Sequence, residues 1–285
     1  MMLKENFEMK KHLNLVMPQW QGGGQDLSTY YGAFALAENY LSDGSYREIF
    51  ITRDDISPVS HGILGYREIL MQLRKAAKVL EEERPSSVIA IGGGCDADIP
   101  CIAYLSRVYG EDMTVVYMDA HGDLNTPQLS ESNLFYGMSL RALTGESDPA
   151  ILDALGAKIN TENLILCGNR NLDPEELRFI ESNHIPSFSV LKLEESPSGL
   201  TDFLASRNAK KLYIHIDLDV LDPTEFSLTP LHEPNGLRQQ TLLWLVDDLR
   251  RNFDVVGLGI LEYSGSKKDQ GDPVSERLVE IGLGL

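Results

Sequence analysis

Residues 211–222 read KLYIHIDLDVLD, an apolar, β-branched run from Lys211 that passes into three aspartates, Asp217, Asp219 and Asp222. An apolar run with so little alternation suits a strand buried on both faces, the habit of parallel sheets. Comparable runs recur along the chain at Leu13–Met17, Glu48–Thr52, Ser87–Gly92, Met113–Met118, Leu164–Cys167, Ile185–Val190, Lys211–Val220 and Val255–Tyr263. Segments of helical spacing lie between most of them. Tyr66–Glu83 places Ile69, Leu70, Leu73, Ala76, Val79 and Leu80 on one stripe, and Leu237–Arg250 has the same character. Strands alternating with helices build βαβ units, so an α/β fold with a parallel sheet covered on both faces is predicted. No linker, low-complexity tract or repeat interrupts the pattern, and residues 1–285 read as a single domain.

In such a sheet, ligands bind outside the carboxyl ends of the strands. Four candidate strands end in conspicuous polar sequence: Ser87–Gly92 in GGCDAD, Met113–Met118 in DAHGD, Lys211–Ile216 in DLDVLD, and Val255–Leu261 in EYSGS. The glycine turn before Cys95 invites a phosphate-cradle reading. The G-x-G-x-x-G spacing fails, however, and Asp96 and Asp98 stand where a phosphate would be repelled.

Composition narrows the partners. A formal net charge of −18 argues against nucleic acid or an anionic membrane surface. With 42% hydrophobic residues the chain can bury a substantial core. Three cysteines, Cys95, Cys101 and Cys167, contain no C-x-x-C pair and suggest a reducing compartment without disulfides. The N-terminus MMLKENFEMKKHLNLVMPQW holds an apolar run of only about five residues, too short for a signal core or a membrane span. A cytoplasmic protein is expected.

Asp119, His121 and Asp123 are spaced by two, as are His215, Asp217 and Asp219, so extended backbone would send each trio to one face. Taken alone, D-x-D at a strand end is common, and DLDVLD could mark an aspartate nucleophile or a helix cap. Two trios on successive sheet strands are a stronger signal. Carboxylate and imidazole ligands without a thiolate requirement favour Mn²⁺, with Zn²⁺, Fe²⁺ or Co²⁺ as alternatives. A pair of such ions makes water nucleophilic at neutral pH.

DAHGDLNTP, HIDLDVLDP and the glycine turn ahead of Cys95, in this order, resemble the ureohydrolase superfamily of arginases, agmatinases and formimidoylglutamases. The resemblance covers nearly the whole chain, most clearly residues 91–262. DAHGDLNTPQLSESNLFYGM lines up without a gap with the arginase branch. It implies a three-layer α/β/α sandwich with an eight-stranded parallel sheet, a binuclear manganese centre, and a homo-oligomer, trimer or hexamer. Asp119 and Asp217 match the carboxylates that bridge both metals. His121 and Asp219 match the remaining ligands of one metal, and Asp123 matches a ligand of the other. The second metal's last ligand is a histidine in the family's G-G-D-H-S turn, where this chain has Cys95. One metal site is complete and one is altered.

A neutral cysteine is a poor manganese ligand, and a thiolate shifts preference toward zinc or iron. Asp96, Asp98 or His215 could compensate. His215 stands where family members usually have a small residue, and it reads either as a ligand or as a histidine hydrogen-bonded beneath the site. Cys101 and Cys167 read as packing residues.

On the substrate side, the resemblance assigns Asn125 and Ser132, with Ser130 nearby, to the amino acid end of the substrate. Asp173 and Glu176 match acids near the substrate's α-amino group, although D-P-E-E is also ordinary helix-capping chemistry. Glu262 matches a carboxylate beside the guanidinium, a planar fork of donors that suits an acid. Thr229 falls in a loop expected to line the pocket. Tyr136 replaces the histidine thought to shuttle protons, and an ordinary tyrosine, with pKa about 10, is a weaker relay at neutral pH.

The expected function is metal-dependent hydrolysis of a guanidino or amidino C–N bond in a cationic small molecule, with arginine giving ornithine and urea favoured. Asp219 and Glu262 are the expected catalytic acids, with Tyr136 at the proton-relay position. Agmatine, guanidinobutyrate and formimidoylglutamate remain alternative substrates. The rival reading, resting on Cys95 and Tyr136, is a catalytically impaired relative that serves as a binding or regulatory subunit.

Overall fold

A computed structural model describes residues 12–41, 45–54, 56–269 and 272–285. Residues 1–11 of the N-terminal stretch quoted above lie outside these residues. Eight strands form one sheet: β1 (Leu13–Met17), β2 (Arg47–Glu48), β3 (Val88–Gly92), β4 (Met113–Met118), β5 (Leu164–Cys167), β6 (Ser187–Phe188), β7 (Lys211–Asp217) and β8 (Asp254–Leu261). Their order is β2-β1-β3-β8-β7-β4-β5-β6, and every pairing is parallel. This confirms the expected eight-stranded parallel sheet.

Helices cover both faces and complete three layers. One face packs Tyr66–Glu83, Ile99–Tyr109 and Pro149–Leu155 over a core containing Ile69, Leu73, Ile102 and Tyr117. The other packs Ser28–Tyr40, Gln239–Asn252 and Pro273–Leu283 over Leu36, Ile214, Leu245 and Leu278. The stripe read on Tyr66–Glu83 is the buried one, with Ile69, Leu73, Ala76 and Leu80 facing in. Strand alternation works the same way in β7, where Tyr213 joins the first core while Ile214 and Ile216 join the second.

Three strands fall short of their apolar runs by three residues or more. Glu48–Thr52 pairs only as Arg47–Glu48, and Ile185–Val190 only as Ser187–Phe188. Both are edge strands, where one neighbour holds the ladder; Ile49 N still donates to Val16 O at 2.8 Å, while Ile51 and Ile185 are buried without joining a strand. Lys211–Val220 stops at Asp217 because the Asp217 side chain accepts the backbone N–H of Asp219 at 2.8 Å. That bond folds Leu218–Val220 into a single 3₁₀ turn.

Candidate metal centre and substrate cavity

Five adjacent strands, β3, β8, β7, β4 and β5, end side by side in the middle of the sheet. The turn after β3 is wedged between its neighbours' exits. Gly93 donates to Met17 O at 3.1 Å, Gly94 donates to Gln19 O at 2.8 Å, and Gly93 O accepts from Glu262 N at 2.7 Å. A Cβ on Gly93 would stand 1.7 Å from the Gln19 carbonyl oxygen. The glycines therefore serve close backbone packing, and they carry Cys95 over the strand ends.

Asp119 follows β4 and accepts the His121 backbone N–H on Oδ1 at 2.6 Å. The spacing of two in DAHGD does not act through strand alternation, because β4 ends at Met118 and Asp123 has φ 52°. Glu262, just beyond β8, has φ 59°. Left-handed backbone costs a non-glycine residue about 1 kcal/mol or more, and here two buried acids adopt it. Asp219 likewise reaches the site from the 3₁₀ turn rather than from the strand. His215 and Asp217 alternate along β7 as the spacing predicts, but the rest of both trios converges through turns that period-two reasoning does not anticipate.

The convergence gives three overlapping groups in which potential ligand atoms lie within 4.8 Å of one another. They are Asp119, His121 and Asp219; Cys95, Asp217 and Glu262; and Cys95, Asp119, Asp123 and His215. His121 Nδ1 lies 2.9 Å from Asp219 Oδ2, yet Asp219 Oδ2 makes no hydrogen bond among the described residues. Two atoms that approach without aligning suit a shared ion, since neighbouring ligands, each about 2.1 Å from a divalent metal, lie about 3 Å apart. Cys95 Sγ is 2.9 Å from Asp217 Oδ2.

The electrostatics point the same way. Burial pushes Asp123, Asp217 and Glu262 well above the ordinary carboxylate range and raises Asp119, and neighbouring carboxylates push further in the same direction. Burial alone would discharge His121, but Asp119 and Asp219 outweigh it and raise its pKa. Burial, with Asp123 and Asp217 beside it, also raises the Cys95 thiol. So dense a set of buried acids is costly without a cation, and a divalent ion fits both the charge and the oxygen-rich donor set.

Beside this cluster opens a cavity of about 300 Å³. His121, Asp123, Asn125, Ser130, Ser132, Tyr136, Asp173 and Glu176 all line it, as do Asn171, Leu231 and Glu233. Asn125 Nδ2 donates to Asp173 Oδ2 at 2.8 Å, and the Ser130 and Ser132 hydroxyls are 3.2 Å apart. Glu176 accepts the backbone N–H groups of Asp173 at 2.8 Å and Leu124 at 2.9 Å, so the capping reading of D-P-E-E holds for it while it also faces the cavity. Burial raises the Glu176 pKa despite these bonds. Thr229 is buried with its hydroxyl donating to Leu231 O at 2.7 Å, and its loop reaches the cavity through Leu231 and Glu233 instead.

Tyr136 and Leu231 also line a second cavity of about 170 Å³, which Glu262 and Gly94 border on the other side. Burial, then the Glu262 charge, pushes the Tyr136 hydroxyl up to about 12. It is a hydrogen-bond donor at neutral pH.

The arginase family's sequence profile matches residues 44–279. This chain belongs to the arginase family. An arginase of Staphylococcus aureus (strain MRSA252) is 30% identical over 209 residues, 71% of this chain and 69% of that protein. Among solved structures, the Entamoeba histolytica arginase in complex with L-ornithine superposes with a TM-score of 0.83 at 18% identity, covering 97% of this chain and 99% of that one. The formimidoylglutamase of Bacillus subtilis superposes at 0.71 with 17% identity, covering 98% and 88%. Fold and superfamily thus agree with the sequence motifs. No described helix of this arginase-family chain is long and apolar enough to cross a membrane.

Several residues at the site belong to none of the sequence motifs. Gln19 donates to Asp96, which holds that acid on the β1 side and outside the three ligand groups. Arg170 donates to the backbone carbonyls of Asp219 at 2.8 Å and Glu233 at 2.7 Å, tying the 3₁₀ turn to the cavity loop. Glu233 in turn accepts from Asn171 Nδ2 at 3.0 Å. Tyr117, whose hydroxyl donates to Asp123 Oδ2 at 2.5 Å, was accessible to strand periodicity, since it sits two residues before Asp119.

Proposed function

We propose that this arginase-family chain hydrolyses arginine to ornithine and urea with two Mn²⁺ ions. The observation that carries the reading is the cavity, which His121 and Asp123 of the ligand groups line together with Asn125, Ser130, Ser132, Asp173 and Glu176. That distribution suits a molecule with a guanidinium at one end and a zwitterion at the other. The names borne by the S. aureus relative and by the ornithine-bound structure support the same substrate.

Asp119, His121, Asp217 and Asp219 would hold one ion, with Asp119, Asp123 and Asp217 contributing to the other. When bound, such ions lower the pKa of water enough to supply the nucleophile. The chain's own groups do the rest. Glu262 receives the guanidinium N–H donors and fixes the carbon being attacked. Asp219, whose Oδ2 is free of hydrogen bonds among the described residues, takes the proton released on attack. Asn125, Ser130 and Ser132 receive the substrate carboxylate, and Asp173 and Glu176 the ammonium. Tyr136 orients the leaving amine by donation, and with a pKa near 12 it returns a proton slowly.

The test is urea release by metal-stripped protein on adding Mn²⁺, across arginine, agmatine, guanidinobutyrate and formimidoylglutamate. Arginine is expected to give the highest kcat/KM, and absence of product from every compound would refute the hydrolase reading. Tyr136→His is expected to raise kcat by about 10- to 100-fold by restoring a group that titrates near neutrality. An unchanged kcat would remove Tyr136 from the rate-limiting proton transfer. The altered positions Cys95 and Tyr136 favour a second reading, a binding subunit, which would bind arginine in calorimetry without releasing urea.

A further inference from the structure

We infer that His215, held by Asp98, is the nitrogen ligand of the second metal in place of a histidine at Cys95. This rests on the two-metal reading above.

The His215 ring is fully buried, and its Nδ1 lies 3.0 Å from each oxygen of the equally buried Asp98. A carboxylate on Nδ1 fixes the N–H there and leaves Nε2 with an exposed lone pair. That Nε2 has no hydrogen-bond partner among the described residues. A buried acceptor left unsatisfied destabilises the fold, so it should have a partner in the working protein. The group of Cys95, Asp119, Asp123 and His215, with ligand atoms within 4.8 Å of one another, supplies the place for one. Ligands on opposite sides of one ion lie about 4.2 Å apart, so small side-chain adjustments bring these donors onto a single metal.

The surroundings are shaped to aim this histidine. Tyr117, its neighbour across β4 and β7, stacks on the ring with centroids 3.7 Å apart and planes 7° from parallel. The same Tyr117 donates to Asp123, which ties the imidazole's orientation to an acid of the ligand group. Across β8 the register places Gly259 beside His215, and a Cβ there would stand 2.1 Å from Asp98 Oδ2. Only glycine leaves room for that carboxylate. Tyr213 donates to Asp98 Oδ2 at 3.0 Å. Asp98 also occupies the N-cap position of the helix Ile99–Tyr109, yet its side chain makes no capping bond. An aspartate there ordinarily takes one of its own helix N–H groups, whereas here it turns to His215 and Tyr213. Asp98 is therefore a positioning residue in a carboxylate–imidazole pair of the kind that orients metal ligands.

Cys95 is then free of the ligand role. Its Sγ hydrogen bond to Asp217 lets it act as a small buried donor beside the site.

The deciding experiment is Mn²⁺ stoichiometry and affinity by calorimetry and elemental analysis, with EPR to detect exchange coupling between two ions. Wild type is expected to hold two Mn²⁺ with a coupled signal. His215→Ser should hold one ion with an uncoupled signal, Asp98→Asn should weaken the second ion by about 10- to 100-fold, and Cys95→Ser should still hold two. If His215→Ser fails to fold, the double change Cys95→His with His215→Ser should fold and regain the coupled pair. Two ions retained in His215→Ser, loss of the second ion in Cys95→Ser, or a single ion in wild type would each overturn the inference. Wild type that holds a coupled pair depleted by His215→Ser but releases no urea would sink the hydrolase reading and leave His215 as a ligand.

Discussion

Asp217→Asn is expected to lower Mn²⁺-dependent urea release by on the order of 10³-fold or more, while the metal-free protein becomes more stable. The two effects share one cause. Asp217 lies in the last position of β7, and burial followed by the charges of Asp219, Asp119 and Glu262 raises its pKa well above the carboxylate range. A buried acid under such repulsion destabilises the fold until a cation arrives. Asparagine keeps the Oδ1 that accepts Asp219 N–H at 2.8 Å, so the 3₁₀ turn survives, while the charge and the Oδ2 that accepts the Cys95 thiol are lost. The metal-free variant should gain about 1–3 kcal/mol, read as a rise in melting temperature in EDTA. Adding Mn²⁺ should raise the melting temperature of wild type strongly and that of the variant little. Activity retained in Asp217→Asn, or a lower melting temperature in EDTA, would show that the cluster is not built to hold metal.

The same contrast explains what could be read from the sequence. The strands β1, β4 and β5 and the helix Tyr66–Glu83 carry their own periodicity, and their bounds match the apolar pattern. The runs at β2 and β6 outreach the strands because Ile51 and Ile185 are buried without joining the ladder, and burial is what an apolar run reports. At the site, residue type and order were enough to nominate Asp119, His121, Asp123, Asp217 and Asp219. Strand alternation places His215 and Asp217, whereas the positive φ of Asp123 and the turn at Leu218–Val220 bring in the rest. The His215–Asp98 pair spans 117 positions and becomes visible only when β3, β8 and β7 lie side by side. Arg170 was similarly hidden, since its partners are backbone carbonyls that no side-chain pattern announces.

The metal-free protein should lose stability as pH rises from about 4 to 8, and the Mn²⁺-loaded protein should gain it over the same range. Asp96 supplies the clearest case. Burial is the largest influence on it and pushes its pKa from 3.8 up to about 7. Between those values the folded chain holds a proton that the unfolded chain has released, so folding is favoured at the acidic end and that advantage disappears as pH passes through 7. At about 1.4 kcal/mol per pH unit, this one group accounts for on the order of 4 kcal/mol. Asp119, Asp123, Asp217 and Glu262 are raised in the same direction and add to the slope. Divalent ions reverse the sign at the ligand carboxylates, because they bind the deprotonated forms and so bind more tightly as pH rises. Melting curves at several pH values, with EDTA and with Mn²⁺, should therefore cross. Parallel curves would mean that the buried acids are neutralised from within the chain and leave no charge for a metal to balance.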